Sequence, residues 1–171
     1  EGVLTGKGME WGGSCIRPEA TGYGALYFVN QMLQTRGIDI KGKTVAVSGF
    51  GNVAWGAVKK ATELGAKVVT ISGPDGYIYD PDGVTTDEKV SYLVEMRNSG
   101  RNRVQDYSDK FPGAQFFPGE KPWGVKADII MPSAMQNDVK MESAKKIAAN
   151  GIKYYIEVAN MPTTNDALAY L

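Results

Sequence analysis

The sequence predicts an open, mostly parallel α/β sheet of the doubly wound, Rossmann-like kind, and three observations carry that prediction. Short β-branched apolar runs alternate with stretches of helical periodicity. The connections between them are short, as in sheets covered on both faces. A glycine-rich turn stands directly between the first such run and the helix behind it. One reversed strand and a small hairpin insertion are expected within this frame.

Taken in order, residues 18–36 place Ala20, Tyr23, Leu26, Tyr27, Val29 and Leu33 at helical spacing. Pro18 and Glu19 suit a first turn and Gly37 a stop. Residues 43–48 (Lys-Thr-Val-Ala-Val-Ser) are apolar on successive positions, which predicts a strand buried on both faces. A helix from Asn52 to Leu64, ended by Gly65, and a second strand over 67–72 complete one βαβ unit. Residues 73–83 carry two Pro-Asp-Gly turns around an aromatic run, the pattern of a small hairpin. Thr85 and Glu88 have capping-box spacing and open a helix to about Asn98. A polar stretch leads to a strand over 114–117. Two further strands are expected over 128–131 and 153–158, with a helix over 141–149 between them, and residues 163–171 begin another helix that the chain does not finish.

Composition narrows the chemistry. With 171 residues, 43% of them hydrophobic, the chain can fill one layered core. Lys plus Arg and Asp plus Glu both total 19, so no net field draws the chain to nucleic acid or an anionic membrane, and neither partner is expected. Histidine is absent, which removes Ser-His and Cys-His pairs and almost every zinc-enzyme ligand set; no metal is expected. Cys15, the single cysteine, cannot form an internal disulfide and reads as a small buried residue. No apolar stretch approaches a membrane span. A reducing cytoplasm fits these features.

The motif with chemical content is Gly49-Phe50-Gly51-Asn52-Val53-Ala54, after a predicted strand and before a predicted helix. Gly49 permits the tight turn, Gly51 leaves no Cβ in the way of a pyrophosphate, and Ala54 lets helix and strand pack closely. The N–H groups at the helix start then face the phosphates. The fingerprint's usual partner is an acid at the end of the second strand, holding the adenosine ribose. Here that strand runs into Pro74-Asp75, so Asp75 is either that acid or the cap of a Pro-Asp-Gly turn. No Arg or Lys lies between Lys67 and Lys89 to neutralise a 2′-phosphate, which favours NAD over NADP.

Three runs, residues 12–24, 49–54 and 158–164, resemble the bacterial hexameric glutamate dehydrogenases of the Glu/Leu/Phe/Val dehydrogenase superfamily, and they occur in that family's order. The resemblance implies that residues 1–171 form the dinucleotide-binding domain of a larger two-domain enzyme. That parent enzyme would interconvert L-glutamate with 2-oxoglutarate and ammonia, with NAD(H) as cofactor. It would be a homohexamer, whereas this part alone would be a monomer or weak dimer that binds cofactor without turnover, the catalytic groups lying outside it. The resemblance further implies that Thr21 and Asn52 bond the nicotinamide carboxamide or its neighbouring phosphate, and that Asn160 reaches the nicotinamide ribose. Ala134 would line the same cleft, and Arg17 and Thr5 would lie toward the substrate. The plainer reading puts Thr21 inside a helix, makes Asn52 a helix N-cap and gives Asn160 to the turn before Pro162.

Three alternatives stand beside this reading. The cofactor domain of a leucine or phenylalanine dehydrogenase would share the fold, but those relatives generally lack the Arg-Pro-Glu-Ala-Thr run found here over 17–21. A methyltransferase also has a glycine turn after its first strand, usually with G-x-G-x-G spacing. A non-catalytic dinucleotide-sensing module should begin and end at natural boundaries.

Overall fold

The side chains of β1, Thr44–Val47, alternate between two buried clusters: Val45 and Val47 enter one and Ala46 the other. Covered on both faces, the strand has no polar side to show, which is why residues 45–47 are apolar without interruption. The structure, a computed structural model, describes Glu10 and residues 18–171. Around β1 it arranges α1 (Ala20–Gln34), α2 (Asn52–Glu63), β2 (Lys67–Gly73), β3 (Gly76–Tyr79), α3 (Asp87–Asn98), α4 (Gln105–Lys110) and β4 (Gln115–Pro118). There follow a 3-10 turn (Pro122–Gly124), β5 (Ile129–Met131), α5 (Met141–Ala149), β6 (Tyr154–Tyr155) and α6 (Asn165–Tyr170).

The six strands lie in the order β4-β3-β2-β1-β5-β6. β1 is parallel to β2 and β5, and β5 to β6, whereas β3 runs antiparallel to both β2 and β4. The expected reversed strand is therefore β3. The hairpin is not an addition set upon the sheet: β2 turns through Pro74-Asp75 straight into β3, pairing Gly73 with Gly76, and β3 gives its other edge to β4. Tyr77 stacks on Phe117 across that edge, centroid to centroid 4.7 Å. The strand expected over 153–158 shortens to two residues, although Ile156 N–H still donates to the Ile130 carbonyl.

Helix α1 buries Gly22, Leu26, Val29 and Leu33, a stripe of 3.6 periodicity that passes through Gly22 and leaves Tyr27 54% exposed. The shift has a steric reason. Gly22 lies against the backbone of α2, where an added Cβ would sit 2.2 Å from Ala57 N and 2.5 Å from Val53 O; Gly56 faces back, with Glu19 O 2.6 Å from its own missing Cβ. The helices cross backbone on backbone, and the tyrosines slide outward over Lys60, whose Nζ is 5.1 Å from the Tyr23 ring and 4.7 Å from that of Tyr27.

Helix α3 is capped one residue later than the capping-box spacing suggests: Thr86 Oγ1 accepts from Lys89 N–H at 3.3 Å, and Asp87 and Glu88 face the positive end of the helix dipole. The polar stretch before β4 contains α4, which no apolar periodicity announces. Tertiary bonds hold it: the buried Tyr107 hydroxyl donates to Asp80 at 2.8 Å, and Lys89 Nζ meets the same carboxylate at 2.7 Å. No helix among the described residues is long and apolar enough to cross a membrane.

At the amino ends of the central strands Asp128 clasps β1. Its Oδ2 accepts from the amide (2.9 Å) and the hydroxyl (3.0 Å) of Thr44. Partial burial raises the Asp128 pKa, but the two bonds from Thr44, helped by nearby lysines, outweigh it and hold the carboxyl below its ordinary value. A carboxyl whose pKa falls on folding stabilises the fold above its unfolded value, about 3.9, and loses that contribution as pH drops through its folded value. Denaturant midpoints of wild type and Asp128→Asn should therefore differ most near neutrality and converge as pH is lowered from about 5 to about 3; a difference independent of pH would refute the clasp.

Candidate functional site

From β1 the chain passes to β2 on one side, and β5, on the other side of β1, is reached only after β4. The loops leaving β1 and β5 thus part from one another, which is the switch point where doubly wound sheets open a crevice at the carboxyl ends of their strands. A cleft of about 610 Å³ opens there, between the turn over residues 49–53 and the loop over 133–135.

Hydroxyl groups fasten its floor where main-chain pairing ends. Gly49 N–H donates to Ser72 Oγ at 2.8 Å, tying β1 to β2, and Ser133 N–H donates to Ser48 Oγ at 3.1 Å, tying β5 to β1. Gly49 has φ +86°, a conformation that suits glycine, and a Cβ there would lie 3.1 Å from Ala134 Cα. Gly51 differs: its φ is −71°, and an added Cβ would meet no atom within 4 Å. The space beside Gly51 belongs to the cleft.

Gly51 is also the N-cap of α2, which makes Asn52 the first helical residue rather than the cap. This helix has no side-chain cap and no acidic residue in its first turn, in contrast to α3. Its leading N–H groups and the positive end of its dipole are left for an anion.

Of the residues expected from sequence, Gly49, Phe50, Gly51, Asn52, Val53, Pro74 and Ala134 line this single cleft. Thr21 is exposed in the first turn of α1, beside the Gly22 contact with Val53 and outside the lining. Asn160 is exposed one strand farther over, in the loop after β6. That loop is joined to the one after β5: Asn137 N–H donates to Met161 O at 3.0 Å and Val139 N–H to Pro162 O at 2.8 Å. Asn137 and Met161 both have positive φ, of 55° and 45°. Thr5, Cys15 and Arg17 lie outside the described residues.

Asp75 directly follows Pro74, which lines the cleft. Its oxygens accept the amides of Val104 (2.9 Å) and Gln105 (3.1 Å), so its carboxylate caps the start of α4, and it is not among the cleft residues. The charged groups that do line the cleft come from farther along the chain. Arg97, on α3, has a buried Nη1 without a hydrogen-bond partner and its guanidinium 5.7 Å from the Trp55 ring. Lys121, in the loop after β4, pairs with Asp138 at 2.9 Å. No carboxylate stands among the described lining residues. Sequence reasoning missed both cations because it searched only the segment next to β2; the cleft's distant walls carry no spacing signal.

A glycine turn, an uncapped helix start and a crevice at the switch point together define a Rossmann-like nucleotide-binding domain. The chain belongs to the Glutamate/Leucine/Phenylalanine/Valine dehydrogenase family, whose model matches residues 12–171. It is 69% identical over 170 residues to the NAD-specific glutamate dehydrogenase of Clostridium symbiosum, covering 99% of this chain and 38% of that one. It is 63% identical over 167 residues to the NAD-specific glutamate dehydrogenase of Bacteroides fragilis, covering 98% of this chain and 37% of the relative. A solved glutamate dehydrogenase structure superposes with TM-score 0.92 at 69% identity, covering 99% of this chain and 37% of that one. The chain thus spans well under half the length of these relatives.

Proposed function

We propose that residues 1–171 are the NAD-binding domain of a glutamate dehydrogenase whose whole chain oxidatively deaminates L-glutamate to 2-oxoglutarate and ammonia, reversibly. The observation that carries the cofactor half of this reading is the start of α2, with no side-chain cap among the described residues, no acidic residue in its first turn and no Cβ at Gly51. The substrate half rests on the names of the relatives and on the family match. NAD, when bound, supplies the acceptor for the hydride that leaves the substrate Cα.

In this reading the amides of Asn52 and Val53 hold the diphosphate, Gly49 and Phe50 shape the turn beneath it, and Pro74 and Ala134 flank the two ends of the dinucleotide. Thr21 and Asn160, both exposed, would meet the nicotinamide half, as the resemblance implies. Arg17 and Thr5 are assigned to the substrate side by resemblance alone. Asp75, beside Pro74 and bonded to the start of α4, would hold the adenosine ribose. The longer enzyme is a homohexamer in the same proposal, as the resemblance implies.

Calorimetric titration of the 171-residue chain with NADH, NADPH and S-adenosylmethionine tests the cofactor half. Binding of NADH in preference to NADPH, with no heat from S-adenosylmethionine, is expected. A chain that binds S-adenosylmethionine and not NADH would be a methyltransferase domain, and one that prefers NADPH would overturn the choice of NAD.

A further inference from the structure

The cleft has a second wall that the glycine fingerprint does not describe. β4 runs in the same direction as β2, since each is antiparallel to β3, so Pro118 delivers the chain to the end of the sheet where the cleft lies. Gly119, with φ +69°, turns it there, and its N–H donates to Asp75 O at 2.8 Å. Pro122 and Trp123 then dive into the sheet's second face, where Trp123, 1% exposed, packs with Ala46 and Ile130. The first face carries α2 through Ala54, Ala57, Val58 and Ala61. Residues 119–121 therefore round the end of the sheet on the side opposite α2, and Lys121 lines the cleft from that side.

Lys121 is held in place. Its Nζ lies 2.9 Å from Oδ1 of Asp138, whose side chain is wholly buried, while Lys121 keeps 44% of its own side chain exposed. Asp138 is fixed between Asn137 and Val139, whose amides are bonded to the loop after β6. The Asp138 oxygens are buried without a hydrogen-bond partner, and the ion pair they make with this cleft-lining ammonium restrains a long side chain that would otherwise sample many rotamers. An ammonium has three donors, and an ion pair with Asp138 leaves donors for a ligand.

Resting on the nucleotide-binding reading above, we propose that Lys121 is a cofactor-binding residue. It meets the dinucleotide's diphosphate from the wall opposite α2, and Asp138 is the positioning residue that holds it there. The diphosphate is then contacted by neutral amides on one side and a full positive charge on the other. This division predicts which part of the ligand, and which solution condition, feels the lysine.

The test compares wild type, Lys121→Met and Lys121→Arg in titrations with NADH, ADP and adenosine at low and high salt. Lys121→Met should weaken ADP and NADH about tenfold, in line with loss of one charge-assisted bond, leave adenosine unchanged, and flatten the salt dependence of ADP binding. Lys121→Arg should recover most of the ADP affinity. Because Lys121→Met leaves the Asp138 carboxylate buried alone, the double variant Lys121→Met/Asp138→Asn, neutral at both positions, is measured beside it and should show the same tenfold loss. The assignment is overturned if the double variant binds ADP as wild type does, or if adenosine is lost in the same proportion as ADP. A wild-type chain that binds none of the three ligands would instead remove the nucleotide reading itself.

Discussion

Gly51→Asp should fold as well as wild type and bind NADH at least about a hundredfold more weakly, a difference of about 2.7 kcal/mol. Both halves of this result come from one position. The backbone of Gly51 is extended with φ −71°, open to any residue, and an added Cβ meets nothing within 4 Å, so the native state loses nothing. As the N-cap of α2, aspartate even offers its carboxylate to the leading amides, worth a few tenths of a kcal/mol over glycine. That same carboxylate occupies the place of an anionic ligand and repels it. Thermal melting paired with quenching of protein fluorescence by NADH measures both quantities; a variant that binds NADH like wild type would remove the diphosphate from this turn.

Gly22→Ala should lower stability by about 3 kcal/mol, because its methyl group would lie 2.2 Å from Ala57 N and 2.5 Å from Val53 O, both backbone atoms that cannot rotate aside. For a domain of this size that is a fall in Tm of about 10 °C. Gly24, two residues on in the same helix, is the control: nothing lies within 4 Å of its missing Cβ, and Gly24→Ala should raise stability by about 0.5–1 kcal/mol through helix propensity alone. Opposite signs in one helix separate close backbone approach from intrinsic preference. Equal effects at the two glycines would mean that α1 does not rest on α2 as described.

The parts of this fold that could be read from sequence are those where one local rule suffices. The β-branched runs gave β1 and β2, and two glycines before a periodic segment gave the turn and α2. Residues 20–34 showed helical periodicity, and Leu26, Val29 and Leu33 of the expected stripe are buried, but Gly22 joins them in place of the tyrosines because a neighbour's backbone covers it and not its own hydrophobicity. Helix α4 escaped notice because its order comes from Asp75, Asp80 and Arg101, groups outside it. The candidate site divides in the same way. Its glycine side follows a motif, whereas Arg97 and Lys121 reach the cleft through the path of the chain after β2, which no residue spacing encodes. Asp75 has contacts that its own segment does not announce: its carboxylate accepts two amides about thirty residues later.

The outer strands of the sheet have a bearing on colloidal behaviour. β4 is four residues long and ends in proline, and β6 is two residues long. A neighbouring molecule that approached either margin would find only a few free amide and carbonyl groups in register, too few to template an intermolecular ladder. The central strands, apolar on both faces and suited to cross-β stacking, are shielded by such abbreviated flanks, so concentrated solutions of the native chain should resist fibril growth unless the sheet first opens.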